Sequence, residues 1–272
     1  AVIYEIATLI IADKTAPMVG EFYGLEGMSL PTGSTASFAP LGFLIGALVE
    51  KIPGLKNLHA DPETIQKKFG IFGEPMIMGA ILGCVLGVLA GYDLGGVLKI
   101  GISMGAVMLL MPRMVKILME GLIPISESVR EFLQKKHAGK ELYIGLDAAL
   151  AVGHPSVMAT ALILVPIIIF LAVILPGNKV LPFGDLATIP FYVAFIVGSR
   201  KGNIVHSVIT GTILMALSLY MATDFANVHT QMLAQAHFQM PEGATKITSI
   251  DMGGNLLNWL ILKFSELMKG FF

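Results

Sequence analysis

The sequence predicts an all-α, polytopic membrane protein: a bundle of transporter helices, some of them broken or re-entrant. First, 55% of the 272 residues are hydrophobic and only 14% are charged, whereas soluble domains carry roughly 25% charged residues. Second, several apolar stretches approach the roughly 20 residues that cross a bilayer, and they lack the alternation of a β-barrel. Third, short segments rich in glycine, proline and hydroxyl residues interrupt these stretches, as in the broken helices of transporters.

The first half of the chain contains one such interruption and one clear membrane span. Residues 1–24 carry several charges and predict a helix that faces the bundle or the membrane interface. Residues 25–36 (LEGMSLPTGSTA), called here the first interruption, predict broken backbone. An apolar helix over 38–49 follows. The polar stretch 51–74 then leads to a membrane span over 75–91.

The second half begins with a long helix and contains another polar segment. We expect a glycine-containing helix over 93–122, followed by a separate amphipathic helix over 126–141 in water. Residues 145–155 (GLDAALAVGHP), called the second interruption, precede an apolar run from Ser156 to Leu175. That run is long enough to cross the bilayer.

The last third of the chain alternates apolar and polar stretches. Residues 186–198 are apolar but too short for a straight crossing, whereas 204–222 suffice. A polar stretch over 224–255 separates them from a final helix over 256–268.

Basic residues predict the orientation of the chain, because Lys and Arg in short loops prefer the cytoplasm. They form three clusters: Lys51 to Lys68, Arg113 to Lys140, and Arg200 with Lys201. All three face the cytoplasm only if residues 141–155 enter the membrane and return on the same side. The sequence therefore predicts cytoplasmic segments at 51–74 and 112–142 and a re-entrant hairpin at 141–155.

Composition and missing motifs exclude several functions. The net charge is −1 with dispersed basic residues, which argues against nucleic acid as a partner. Cys84 is the only cysteine, so the chain has neither a disulfide framework nor a thiolate metal site. The sequence has no Walker lysine loop, HExxH or GxSxG motif. We therefore expect no metal or cofactor, and an energy source other than bound nucleotide.

Polar residues at the interruptions and span ends are the candidate site, because ionisable groups at membrane depth are costly. The substrate-binding candidates are Glu26, Ser29, Thr32, Glu74, Asp147, His154 and Asp251. Asp147 and His154 are also the catalytic candidates, since either could accept a proton from a sugar hydroxyl during phosphoryl transfer. Structural roles stay open as alternatives: a helix cap for the hydroxyls and Glu74, and a carbonyl-bonded neutral imidazole for His154.

Several blocks of the sequence carry a resemblance to a known family. They are LEGMSLPTGSTASFAP, EKIPG, IQKKFGIFGEP, LAGYDLGGVL, AVMLLMPRMVKILMEGL, GLDAALAVGH, LPGNKVLPFGDLATI, VHTQ and SIDMGG. In this order they resemble the galactitol-specific IIC permeases of the bacterial phosphoenolpyruvate-dependent phosphotransferase system, which are related to the ascorbate IIC permeases. The resemblance covers nearly the whole chain.

The resemblance implies a homodimeric, multi-pass permease of the bacterial inner membrane with an inverted-repeat fold, of which residues 1–272 are the C-terminal portion. Such a permease carries a hexitol across the lipid bilayer by an elevator-like motion. A cytoplasmic IIB subunit, charged by IIA, then phosphorylates the sugar from a phosphocysteine. This chain would therefore contain no phospho-accepting residue, and its status as an enzyme in its own right stays open.

One position departs from the galactitol pattern. Where galactitol permeases have a His after the Pro of the LEG block, this chain has Thr32, which leaves a different polyol or sugar open as the substrate. A second hypothesis is an ion-coupled secondary transporter in which Asp147, His154 and Asp251 relay protons. An intramembrane enzyme is a poor third, because no nucleophile and base are paired at catalytic spacing.

Overall fold

The protein is an almost entirely helical bundle in a computed structural model that describes residues 2–55, 58–69, 74–136, 143–240 and 245–269. The helices are α1 (Val2–Tyr23), α2 (Gly33–Ala36), α3 (Ala39–Val49), α4 (Pro62–Phe69), α5 (Pro75–Leu89), α6 (Leu94–Lys136), α7 (Ala149–Val152), α8 (Pro155–Ile174), α9 (Ile189–Ser199), α10 (Ile204–Gln235), α11 (Ile250–Gly253) and α12 (Leu256–Lys269). A 3₁₀ helix, Phe183–Thr188, precedes α9. Two short strands, β1 (Met28–Ser29) and β2 (Ile144–Gly145), pair in parallel.

The predicted fold class is confirmed. Within the described residues, three helical stretches are long and apolar enough to cross a membrane: Leu94–Leu122, Pro155–Ile174 and Ile204–Gln235. Shorter apolar helices accompany them. The protein is therefore an integral membrane protein built from helices.

The short helix α9 forms the centre of the bundle. Residues 192–198 are all buried, and α1, α2, α3, α8 and α10 pack around them. At 1.5 Å per residue, α9 is about 17 Å long, well below the roughly 30 Å of a bilayer core. It can be this short because protein surrounds it on every side, so its ends need not reach the membrane surfaces.

Small residues allow the central helices to approach closely. A side chain at Gly42 of α3 would meet Ile196 of α9 at 2.7 Å, and one at Gly211 of α10 would meet Leu164 of α8 at the same distance. Glycine at such contacts is typical of helix packing in membranes, because it brings the backbones together.

Helices α5 and α6 form a hairpin whose contacts are equally close. A Cβ atom at Gly83 would lie 2.8 Å from the backbone carbonyl of Ile100 and 3.0 Å from the Cα of Gly101. Backbone atoms cannot rotate away as a flexible side chain can. The packing of this hairpin therefore favours glycine over any larger residue at position 83.

Two helices differ from the sequence-based expectation. The separate amphipathic helix expected over 126–141 is wrong for its described residues, 126–136, because α6 continues through Pro124 to Lys136. The Ser128 hydroxyl donates to the Pro124 carbonyl within this helix, at 2.9 Å. The helix α10 also extends beyond the expected span over 204–222, into the polar stretch, and ends at Gln235. Polar side chains do not end a helix by themselves, and residues 223–235 contain neither glycine nor proline.

The loop after α3 and the start of α10 lie at the same end of the bundle. Arg200 forms an ion pair with Glu50 at 2.6 Å. The Asn203 side-chain amide donates to the Leu58 carbonyl at 2.8 Å, and His206 Nε2 lies 2.8 Å from the Leu55 carbonyl. The first and third basic clusters of the sequence are therefore neighbours. Residues 56–57, 70–73 and 137–142 of the predicted cytoplasmic segments lie outside the described residues.

Candidate functional site

The two interruptions are joined directly to each other. Strand β1 of the first pairs with β2 at the start of the second, and the Leu146 N–H donates to the Ser29 carbonyl at 2.8 Å. Just beyond the strands, the Ala148 N–H donates to the Thr32 hydroxyl oxygen, also at 2.8 Å. We call this contact region, residues 28–32 with 144–148, the junction. It brings together segments that are more than one hundred residues apart in the sequence.

The candidate residues of the first interruption occupy different environments. Glu26 is exposed, next to Gly27, whose φ of 76° lies in the left-handed region that favours glycine. Ser29 is only 3% exposed, so in this conformation it contributes to the strand pair rather than facing a cavity. Thr32 is half-buried and holds the second interruption through its hydroxyl oxygen. Its O–H remains available as a donor.

Asp147 lies at the junction with an exposed side chain. Its Oδ1 accepts the Ala149 N–H at 2.8 Å, which starts the short helix α7. This local turn fixes the orientation of the side chain. No hydrogen bond or ion pair joins Asp147 to His154 within the described residues.

His154 is the N-cap of α8. Its Nδ1 accepts the Ser156 N–H at 3.2 Å, and its ring packs against Phe22 and Tyr23, with centroid distances of 4.6 and 5.7 Å. Because Nδ1 accepts, a neutral ring carries its proton on Nε2, which is then a hydrogen-bond donor. Nε2 can act as a general base only if the ring proton moves to Nδ1, which breaks the hydrogen bond from the Ser156 N–H. The general-base role of His154 therefore stays a prediction. The sequence left open a structural role for His154 as a neutral imidazole bonded to a carbonyl. The structural role that is observed is instead that of a helix cap.

A cavity of about 250 Å³ adjoins His154. We call it the His154 cavity. Its lining residues are Tyr23, Gly24, Leu25, Pro112, Val115, Lys116, Leu150, Gly153, His154 and Pro155. Its polar side chains are thus an imidazole, a phenol and one lysine.

Asp251 lies at the other end of the bundle, in the short helix α11. The carboxylate of Asp185 supports this helix by accepting the Ile250 N–H at 2.8 Å and the Asp251 N–H at 3.4 Å. Asp185 is only 8% exposed, so its position is set by these hydrogen bonds. The side chain of Asp251 itself borders a cavity.

This second cavity, called the Asp251 cavity, has a volume of about 700 Å³. It is bounded by α1, by the start of α2, and by α10, α11 and α12. Its polar lining residues are Tyr4, Glu5, Ser34, Gln231, Asp251, Asn258, Ser265 and Glu266. Carboxylates, hydroxyls and amides of this kind suit a neutral solute with many hydroxyl groups.

Glu74 is separate from the other candidates. It is the N-cap of α5 with Pro75 behind it, and its side chain makes no capping hydrogen bond. Within the described residues, no hydrogen bond or ion pair connects it with either interruption. The helix-terminus position expected from the sequence is confirmed, whereas its role in binding stays a prediction.

The two cavities lie toward opposite ends of the bundle. Tyr4 and Tyr23, near the two ends of α1, line the Asp251 cavity and the His154 cavity respectively. The 22 residues of α1 span about 33 Å, roughly the thickness of a bilayer core. The junction connects them, because Gly33, next to Thr32, lines the Asp251 cavity and Leu150, two residues after Ala148, lines the His154 cavity.

Of the polar residues that line the two cavities, only His154 and Asp251 were candidates from the sequence, and Lys116 and Tyr4 are two that were not. Lys116 was used only to predict orientation, although a basic residue within a largely apolar helix can itself be a signal of function. Tyr4 carries no sequence signal, and its hydroxyl approaches Gly33 only through the tertiary fold. In the described part of the chain, no group of three or more His, Cys, Asp or Glu residues could hold a metal ion.

Broken polar backbone inside an apolar helical bundle, between cavities at its two ends, defines a membrane transport protein. Comparison with known proteins identifies the family. The family model described as "PTS system sugar-specific permease component" matches residues 1–243. The chain belongs to this family.

Individual relatives agree with this assignment. The "PTS system galactitol-specific EIIC component" of Escherichia coli (strain K12) is 44% identical over 253 residues, which are 93% of this chain and 56% of the relative. The "Putative permease IIC component" of the same strain is 41% identical over 269 residues, or 99% of this chain and 61% of the relative. The chain thus spans less than two thirds of either relative. No solved structure matches the chain closely enough to count as a relative.

Proposed function

We propose that the chain is part of the permease subunit of a phosphotransferase system and translocates a hexitol similar to galactitol. The observation that carries this proposal is the junction between the two cavities, where a segment with the hydroxyls of Ser29 and Thr32 meets a segment with the carboxylate of Asp147. Family membership and the 44% identity to a galactitol-specific component support the same substrate class.

In this proposal the hexitol enters from the Asp251 cavity and reaches the junction, where Thr32 and Asp147 contact it. Asp251 and Glu26 offer further hydrogen-bond acceptors, while Ser29 and Glu74 act in other conformations of the transport cycle. The His154 cavity then faces the cytoplasm. The neighbouring Arg200 and Lys201 support this orientation, because basic loops prefer that side.

The chemical step requires a cytoplasmic IIB partner, charged by IIA. The P–S bond of the IIB phosphocysteine breaks, and its electron pair remains on sulfur. A P–O bond forms to a hexitol hydroxyl, and the hydroxyl proton passes to the Asp147 carboxylate. General-base catalysis of this kind contributes about 10²- to 10⁴-fold to a rate. The chain supplies positioning and the base, while the partner supplies the phosphoryl group.

Three finer features belong to the same proposal: a homodimer, a bacterial inner-membrane location, and residues 141–155 as a re-entrant hairpin. The exposed apolar face of α5 and α6, which includes Val85, Val88 and Ile102, is compatible with either lipid or a second subunit. Cross-linking of single-cysteine variants in native membranes distinguishes these surroundings. Labelling of the hairpin with impermeant reagents from each side tests its accessibility.

The test of function uses the full-length permease in inverted membrane vesicles with purified IIA and IIB. Galactitol phosphate should form from phosphoenolpyruvate, and a IIB variant without its phospho-accepting cysteine should abolish this. Asp147→Asn should lower turnover by about 10²-fold or more while galactitol still binds. Uptake that needs no partner and collapses with an uncoupler would instead establish the ion-coupled transporter. Phosphorylation of another sugar in preference to galactitol would restrict the proposal to the permease class.

A further inference from the structure

The His154 cavity has features that a hexitol site alone does not require. At about 250 Å³ it is smaller than the 300–1,000 Å³ of most ligand sites. A neutral polyol would be held by a mixture of donors and acceptors. This cavity instead carries the ammonium of Lys116 and the imidazole of His154, which donates through Nε2.

Lys116 differs from Arg200 and Lys201, which both have ionic partners. Arg200 faces Glu50 at 2.6 Å, and Lys201 faces Glu21 at 3.4 Å. Lys116 forms no ion pair with any residue that the structure describes. Its positive charge is therefore available to a ligand at the mouth of the cavity.

The backbone of α8 cannot serve as the anion site in place of these side chains. Pro155 has no N–H, and the Ser156 N–H is bonded to His154 Nδ1. The next two N–H groups, of Val157 and Met158, donate to the His154 carbonyl. Among the side chains that line this cavity, Lys116 and His154 then remain as donors to an anion, because the Tyr23 hydroxyl donates to the Ala194 carbonyl at 2.6 Å.

We propose that the His154 cavity binds the phosphoryl group during its transfer to the hexitol, with Lys116 as an ion-pairing residue and His154 Nε2 as a hydrogen-bond donor. This proposal rests on the proposed phosphotransferase function. It assigns His154 to charge stabilisation rather than to proton abstraction, which falls to Asp147. Fixed donors aimed at the charge that develops on a transferring group lower the barrier to the reaction.

The test of Lys116 measures binding of galactitol and of its terminal phosphate ester to the full-length permease. Lys116→Gln should weaken binding of the ester by about tenfold and change galactitol binding by less than twofold. Lys116→Arg should restore binding of the ester. Lys99→Gln, an exposed lysine of the same helix outside both cavities, is the matched control and should bind both ligands normally. Equal losses for the two ligands, or no loss for either, would overturn the assignment of Lys116.

His154 is tested through turnover with phosphorylated IIB. His154→Asn keeps a residue that caps helices well, and His154→Gln keeps an N–H donor with the reach of Nε2. Neither amide can act as a base. At least one variant should retain a tenth of wild-type turnover, whereas His154→Asp, which adds negative charge and no donor, should retain far less. Loss of more than a hundredfold in both amide variants, with ester binding intact, would show that His154 is the base.

These outcomes separate the two proposals. If the wild-type permease forms no sugar phosphate with IIA and IIB, the proposed function itself fails. If the wild type is active while every Lys116 variant behaves normally, only the phosphoryl site fails.

Discussion

The hydrogen bond from Ala148 to Thr32 tests whether the junction matters for binding. Ala148 is fully buried, and its N–H has Thr32 Oγ1 as its partner at 2.8 Å. Thr32→Val keeps the shape of the side chain and removes the acceptor. A buried N–H left without a partner costs about 1–3 kcal/mol. Because Thr32 is only half-buried and water has partial access, we expect the lower end of this range.

The loss of galactitol affinity expected for Thr32→Val has an upper limit that can be calculated. If the whole cost appears in binding, 1–3 kcal/mol corresponds to a loss of galactitol affinity of about 5- to 150-fold. Thr32→Ser should restore affinity to near wild type, because its hydroxyl can accept the same N–H. Isothermal titration of the purified full-length permease measures the affinity, and thermal unfolding in the same detergent measures stability.

Thr223→Val provides a matched control. The Thr223 hydroxyl accepts the Lys179 N–H at 3.1 Å, and the residue lines neither cavity. This variant should bind galactitol normally. If Thr32→Val also binds normally, or if both valine variants lose affinity equally, the junction is not part of the substrate site.

Further predictions concern stability. Asp185→Ala should lower the free energy of unfolding by about 1.5–3 kcal/mol, because the buried Ile250 N–H loses its carboxylate acceptor. Asp185→Asn should recover part of this loss. Thermal unfolding of both variants checks this, and equal midpoints for Asp185→Ala and the wild type would contradict it. Gly83→Ala should cost about 1–3 kcal/mol through overpacking against backbone atoms. Gly121→Ala, with open space around the added methyl group, should be neutral or slightly stabilising in the same helix hairpin.

Much of the fold could be predicted from the sequence because the bilayer imposes strong constraints. Apolar length fixes where a span can lie, so the run beginning at Ser156 is indeed the helix Pro155–Ile174. Helix ends without glycine or proline are harder to place. The continuation of α10 to Gln235 shows that polarity alone does not mark such an end.

The sequence identified several residues of the candidate site but did not show how they are arranged in space. Local sequence identifies a costly polar residue such as Asp147 or His154, because that cost depends on the apolar residues next to it. It does not tell which polar residues share a cavity. Lys116 and His154 are 38 positions apart and line one cavity only because α6 passes the start of α8.

By itself, the sequence determined the class of protein, the long apolar helices α6, α8 and α10 and the two polar interruptions, because these depend on composition along a single stretch of chain. The family resemblance came from the same local blocks. Only the tertiary structure decided that the interruptions pair through the hydrogen bond from Ala148 to Thr32, and that two cavities lie toward opposite ends of the bundle. Contacts between distant segments depend on how helices pack. Helix packing in turn depends on the fit between residues of different helices, such as Gly42 against Ile196 and Gly211 against Leu164, and a single stretch of sequence does not show which residues will face each other.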